Sequence, residues 1–266
     1  MKKETRLVNI IKGLLRRANV PRWLHHFGPK KYEFYQHMLA FFIKQACKLS
    51  FRRVVKLLRD LGFDIPSYSA LCKMRKRIPF WLWEKIFSLT VPQRSIAVAA
   101  IDSTTLSRSN PSWHYIKRID RKKPIQCPLK LSSVIETNGK KILALRLRAK
   151  IVHDVRDVKY LFKRIMNHID KLTGDTAYDA EWIHELAHER SMVTVIKPRK
   201  NVKRGFWRKK MKKHWRTRTY HRRSMIESTF GAYKHKYGAS VLARAIDTQR
   251  AEVYCAATLH NLSLIN

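Results

Sequence analysis

Tyr220, Arg223, Glu227 and Lys234 have the residue types and spacing best suited to chemistry in this chain. At about 100° per residue of helix, Tyr220 and Lys234 fall about 20° to either side of Glu227, and Arg223 about 40° away. One helical stretch would therefore project all four from a single face. A lone acid then stands between two cations and a phenol. In a chain with 57 Lys+Arg, 19 Asp+Glu and a formal net charge of +38, that acid suits a metal ligand facing phosphates better than one more counterion. The plainer alternative is a surface pair of Glu227 with Arg223 at i,i−4.

Because acids are scarce, the positions of the others carry information. Asp102 follows the apolar run AVAAI, and Asp175 follows a short strand and Gly174. Both are expected at strand ends, where an open α/β sheet places its ligand groups. Hard divalent cations prefer carboxylate oxygens and accept phosphate oxygens as remaining ligands, and two such ions can activate a nucleophile while stabilising the leaving oxygen. Singly, each acid has a plainer reading: Asp102 makes a turn with Ser103-Thr104-Thr105, and Asp175 caps a loop. Asp179 is expected to N-cap a helix beginning at Ala180. His153-Asp154 and Asp157 are expected to cap a helix from Val155 rather than bind metal.

The elements that must position these residues fall into two kinds. From Thr5 to about Leu89 apolar residues recur at helical spacing, as in Leu7, Ile10, Ile11, Leu14 and in Leu39, Phe42, Ile43. Within this helical region, Ser50 can cap a helix that Gly62 ends. After a short turn through Pro66, Ser67 or Ser69 can cap the next, SALCKMRKRI. Two short helices over about 50–79, the second bearing Lys73, Arg75, Lys76 and Arg77, suggest a helix-turn-helix; the alternative is two bundle helices with a solvated basic face.

Pro92 marks a change of character. Ser95–Ile101, Lys130–Ile135 and Lys141–Val152 read as strands, with Asn138-Gly139 as a hairpin signal between the last two. A helix over about 155–169, a short strand into Gly174-Asp175, a helix over about 180–190 and a strand over 192–196 follow. The expectation is an α/β protein: a helical region over 1–92, then a mixed sheet with helices over 93–266.

About half of residues 197–223 are Lys or Arg, interleaved with Phe206, Trp207, Trp215 and Tyr220. The run is either a solvated loop or a nucleic-acid contact in which cations meet phosphates and rings stack on bases. Lys203, Arg204, Trp207, Arg208, Lys209 and Lys210 are its candidate DNA-contacting residues. Basic charge alone also suits an anionic membrane, but the longest apolar run, Met38–Ile43, is stopped by Lys44, far short of the roughly 20 residues of a membrane span. The N-terminal stretch lacks the apolar core of a signal peptide, so a cytoplasmic nucleic-acid-binding protein is expected. Four scattered cysteines without a C-x-x-C pair suggest neither a zinc ribbon nor a disulfide framework.

The spacing Tyr-x2-Arg-x3-Glu-x6-Lys at Tyr220, Arg223, Glu227 and Lys234 resembles the signature of DDE transposases of bacterial and archaeal insertion sequences. AIDSTTL around Asp102 and GDTAYDA around Asp175 resemble that family's first and second catalytic motifs, so the likeness runs from about Ile96 to Asn261. The resemblance implies an RNase H-like catalytic core behind an all-helical DNA-binding region. It also implies two Mg²⁺ ions, with Mn²⁺ able to substitute, bound by Asp102, Asp175 and Glu227. The implied activity is cleavage of double-stranded DNA at transposon ends and joining to target DNA, performed by a homodimer on the DNA. Tyr220, Arg223 and Lys234 would position phosphates. The short interval between Asp175 and Glu227 leaves no room for the large insertion of some relatives, which puts a hairpin route of end cleavage in doubt.

Three rivals stand beside this reading. His184-Glu185-Leu186-Ala187-His188 matches the H-E-x-x-H arrangement of zinc metalloproteases, although no convincing third ligand appears nearby. A catalytically inactive, transposase-derived DNA-binding protein would keep the charge without the activity. An RNase H-like nuclease would cut with the same acids and never join.

Overall fold

The computed structural model describes residues 6–24, 27, 29–108, 127–200, 204–213 and 215–265. In chain order the described elements are α1 (Arg6–Arg17), α2 (Phe34–Ala46), α3 (Phe51–Asp60), α4 (Tyr68–Arg77), α5 (Phe80–Ser88), β1 (Ile96–Arg108), β2 (Leu129–Glu136), β3 (Ile142–Arg148), α6 (Val158–Arg164) and β4 (Ile169–Gly174). They continue with α7 (Glu181–Glu189), β5 (Val193–Ile196), α8 (Phe206–Lys213), α9 (Thr217–His221), α10 (Ser224–Tyr237), β6 (Ser240–Val241) and α11 (Ile246–Leu262). Two compact units result: residues 1–90, 236–238 and 242–263 form one, and 91–235, 239–241 and 264–266 the other.

The first unit is all helical. Val8, Ile11, Leu14 and Leu15 of α1 are buried, and α2 starts with a reciprocal cap in which Glu33 N–H donates to Gln36 Oε1 at 2.6 Å. Ser50 Oγ accepts from Arg53 N to open α3, and Ser67 Oγ accepts from Ala70 N to open α4. Gly62, at φ 79°, ends α3 in a Schellman arrangement: Phe63 N–H reaches Leu58 O and Gly62 N–H reaches Arg59 O. Residues 61–67 between α3 and α4 are longer than the three- or four-residue turn of a helix-turn-helix. The Schellman stop and the Pro66 approach to Ser67 consume those residues. The C-terminal helix α11, which sequence grouped with the catalytic core, packs here on α2, α4 and α5.

The second unit is built on a sheet of order β3-β2-β1-β4-β5. β1, β2 and β3 form an antiparallel meander, whereas β4 and β5 run parallel to β1. The sheet is mixed, with α6 packed on β3 and α7 on β5, an α/β arrangement of the kind expected from sequence. The alternating apolar residues of β1 and β2 are buried on both faces, Ala99, Ala100, Val134 and Ile135 completely, which is the burial expected of central strands.

β1 is longer than its apolar run. Sequence placed its end at Ile101, yet pairing continues because Asp102–Leu106 meet Ser133–Leu129 on β2, and Ser107 and Arg108 pair with β6. The helix expected over 155–169 is shorter too: a 3-10 turn at Asp154–Asp157, then α6, then β4 from Ile169.

Candidate active site

Register brings two of the candidate acids together. Ala100 pairs with Thr173 as the last β1–β4 partners, so Asp102 and Asp175, each two residues further along parallel strands, stand at matching heights. Asp102 is thus mid-strand toward β2 and at the strand end toward β4. The approach is close at Gly174, where an added Cβ would meet Ile101 Cγ2 at 3.1 Å. Asp102 Oδ1 accepts from Ser103 N at 2.7 Å, and Asp175 Oδ1 accepts from Ala177 N at 2.9 Å. Burial raises Asp102 to about 6; the Ser103 N–H opposes this, Asp175 adds to it, and Arg223 offsets part.

Glu227 joins through a cation. Arg223 NH1 donates to Asp102 Oδ2 at 3.1 Å and its NH2 to Glu227 Oε1 at 2.7 Å, while Lys234 Nζ donates to Thr104 Oγ1 at 2.6 Å. The helical stripe expected from sequence is interrupted: Tyr220 lies on α9, Arg223 in a turn, and Glu227 and Lys234 on α10. The turn tightens through i→i−3 bonds, Arg222 N to Thr219 O and Arg223 N to Tyr220 O. It directs Arg222 to Asn138 and Arg223 to Asp102. The Tyr220 ring lies 5.0 Å from that of Trp215.

A fourth carboxylate belongs to the same neighbourhood. Asp154 Oδ1 accepts from Ser103 Oγ at 2.6 Å and from the buried Lys130 ammonium at the same distance. Burial raises Asp154, but Lys130 and Ser103 outweigh it and hold the carboxyl below its ordinary value. Asp157, fully buried, accepts from Ser132 Oγ at 2.7 Å and Arg148 Nε at 2.5 Å. Neither acid caps a helix with its side chain, contrary to the sequence expectation, because cations and hydroxyls on β1, β2 and β3 claim both. Sequence reasoning therefore missed Asp154 and Lys130 as neighbours of the site; the lysine inside the apolar run LKLSSVI was the available signal. Tyr178 is buried against these acids with its hydroxyl unpartnered. Burial, and then Asp154, Asp102 and Asp175, push it well above the usual phenol range.

Asp179 is a different kind of acid. It does not cap α7, whose N-cap is Ala180. It is fully buried and accepts from Arg199 N at 2.9 Å, Arg208 Nε at 3.0 Å and His184 Nε2 at 3.1 Å. Since a carboxylate only accepts, His184 carries its proton on Nε2, and Nδ1 accepts from Thr194 Oγ1 at 2.7 Å. Both ring nitrogens are engaged. The His188 ring lies 4.1 Å from that of Trp207, tilted by 38°, and among the described residues no group of three His, Cys, Asp or Glu is gathered for a metal, either at this motif or around Asp102, Asp175 and Glu227. With Asp179 and Thr194 on its two ring nitrogens, His184 is not free to serve as the first zinc ligand of the H-E-x-x-H reading.

The basic segment is partly helical. Glu181 accepts from Trp207 N at 2.8 Å and Arg208 N at 3.2 Å, closing the N-terminus of α8. Gly205, at φ 112°, leaves the room this needs, as a Cβ there would meet Glu181 Oε2 at 2.3 Å. Arg204, Lys209 and Lys210 are exposed and Trp207 half-buried, whereas Arg208 faces inward to Asp179 rather than outward. Lys203 lies outside the described residues. On α4, Lys73, Lys76 and Arg77 are exposed, but Arg75 lies 5.1 Å over the Phe51 ring, half-buried. All four cysteines are free, and no helix among the described residues is long and apolar enough to cross a membrane.

The Transposase DDE domain family model matches residues 93–262, and the chain belongs to that family. Membership implies a polynucleotidyl transferase with a divalent-metal cofactor. The chain is similar to piggyBac transposase in a cryo-EM structure of its synaptic complex with hairpin DNA, at 10% identity and a TM-score of 0.45, covering 97% of this chain and 73% of that one. A crystal structure of a pre-cleavage Mos1 transpososome matches at 9% identity and a TM-score of 0.24, covering 99% of this chain and 88% of that one.

Proposed function

We propose that this protein is an insertion-sequence transposase that cuts double-stranded DNA at the ends of its element and joins the freed strand to target DNA. The observation that carries the reading is the register that sets Asp102 on β1 level with Asp175, just past the end of β4, with Asp102 raised to about 6. A partly buried acid whose charge Asp175 disfavours and Arg223 only partly offsets suits a hard divalent cation. Asp102, Asp175 and Glu227 would hold it, as Mg²⁺ or as Mn²⁺ in its place. When bound, the metal supplies charge neutralisation at the scissile phosphate and a water of lowered pKa.

The chain's own residues do the rest. Arg223 bridges Asp102 and Glu227, which places its planar guanidinium beside the acids, where it would grip a phosphate bidentately. Lys234, on the same helix as Glu227, adds a second cation near the Asp102 strand. Ser103 holds Asp102 through its backbone N–H while its hydroxyl is tied to Asp154, which limits the swing of the shared acid. The exposed cations on α4 and α8 neutralise DNA phosphates flanking the cut. Synapsis of two ends makes a homodimer the working form.

The test is cleavage of a labelled duplex carrying the element's ends, in Mg²⁺ or Mn²⁺, by wild type and Glu227→Gln. Metal-dependent 3′-end cleavage that the variant lacks is the expected result. A wild type that binds those ends and never cuts them would replace this reading with a DNA-binding protein without activity.

A further inference from the structure

A pocket of about 380 Å³ lies on the second unit away from the acids, within the size range of small-molecule sites. It opens beside Lys171 of β4 and Val193 of β5, which pair with each other. Lys171 precedes Asp175 by four residues, or about 13 Å of strand, so the pocket sits toward the opposite ends of the parallel strands from the catalytic acids.

Its walls have a specific chemistry. Trp207 and His188, rings 4.1 Å apart, form an aromatic side, and the buried thioether of Met211 lines it as well. Three cations, Lys171, Lys210 and Arg216, surround the opening, and no carboxylate is among the described residues that line it. Lys210 Nζ stands 3.2 Å from His188 Nε2 and 5.1 Å from the Trp207 centroid, joining the cationic rim to the aromatic wall. The second histidine of the H-E-x-x-H run thereby finds a place that zinc does not give it.

An occupant must bring a flat, partly apolar body and negative charge together. Inorganic phosphate leaves the aromatic wall unused, and an uncharged nucleoside leaves the cations unused. We propose that this pocket binds a nucleotide, its base against the Trp207–His188 wall and its phosphate among Lys171, Lys210 and Arg216. Free mononucleotides and a nucleotide of a DNA strand share this chemistry. The assignment needs neither metal nor cleavage, so it stands or falls separately from the catalytic reading.

The experiment is metal-free calorimetric titration of the full chain with dAMP, deoxyadenosine and inorganic phosphate. dAMP is expected to bind at least about tenfold more tightly than either fragment, because stacking and charge neutralisation act together. Trp207→Leu and Lys171→Gln should each weaken it about fivefold or more, while Lys56→Gln on α3, which removes the same charge from an exposed residue elsewhere, leaves it unchanged. Lys171 is an exposed strand residue, so its variant keeps the test decisive if Trp207→Leu fails to fold. Displacement of dAMP by single-stranded d(A)5 assigns the pocket to a strand, and failure to displace it assigns a free nucleotide; either supports the site. Binding of dAMP no tighter than phosphate, or equal losses in Lys56→Gln and Lys171→Gln, overturns it.

Discussion

Asp102 and Asp179 meet opposite electrostatic fates. Asp179 is fully buried, which by itself would raise it, yet a backbone N–H, a histidine and an arginine converge on it and hold it below its ordinary value. Asp102, beside Asp175, is less buried and less compensated, and it rises to about 6. The first arrangement is complete as it stands and fastens α7, β5 and α8 together. The second is short of positive charge. A site meant to receive cations is expected to be under-compensated without them, and a structural site is not.

Removing the shared acid is the strongest way to break this contrast. Asp102→Asn is expected to lower DNA cleavage at least about 10³-fold in Mg²⁺ without loss of DNA affinity, read by cleavage kinetics beside a binding titration. Normal cutting by this variant would remove Asp102 from the site. On the structural side, Asp179→Ala takes the carboxylate partner from the buried His184 and the half-buried Arg208 and should lower folding stability by about 3 kcal/mol, measured by urea unfolding. A change within about 0.5 kcal/mol would mean that the network only decorates the core.

The two acids also separate by pH. Asp102 binds its proton up to about pH 6 when folded, against 3.8 for an ordinary aspartate, so between these values the folded state holds more proton than the unfolded. Metal-free stability from this residue is therefore greatest at low pH and falls as pH rises through that window, by about 1–3 kcal/mol. Comparing urea midpoints of wild type and Asp102→Asn at pH 4 and pH 8 measures it, and parallel profiles would contradict it. Cleavage should decline below about pH 6, where protons compete with metal.

The smallest effect tests the same contrast inside the basic segment. Lys209→Ala is expected to reduce the salt dependence of DNA binding by about one phosphate contact and leave stability unchanged. Arg208→Ala should do the reverse, because Asp179 holds its guanidinium. Equal salt slopes for wild type and Lys209→Ala would take α8 out of the DNA interface.

Much of the fold was legible because its signals are local. Ser50, Gly62 and Ser67 start and stop helices through hydrogen bonds to backbone a few residues away, and the β2–β3 hairpin follows from two short apolar runs about Asn138-Gly139. The length of β1 was not legible, since Asp102 to Arg108 are held by partners on β2 and β6. Asp154 and Asp157 look like caps in sequence. They became network acids because Lys130, Ser132 and Arg148, distant in the chain, offered stronger partners.

Sequence by itself determined the charge, the three ordered acidic motifs, the helical first region and the strands that follow, since these depend on composition, periodicity and short-range bonding. Only the tertiary structure decided which acid faces which cation. It set Asp102 level with Asp175, tied Glu227 to them through Arg223, turned Arg208 inward and returned α11 to the N-terminal helices. Those outcomes depend on strand register and on competition among many lysines and arginines for few carboxylates. Both are settled by distances between residues far apart in the chain, which no local pattern encodes.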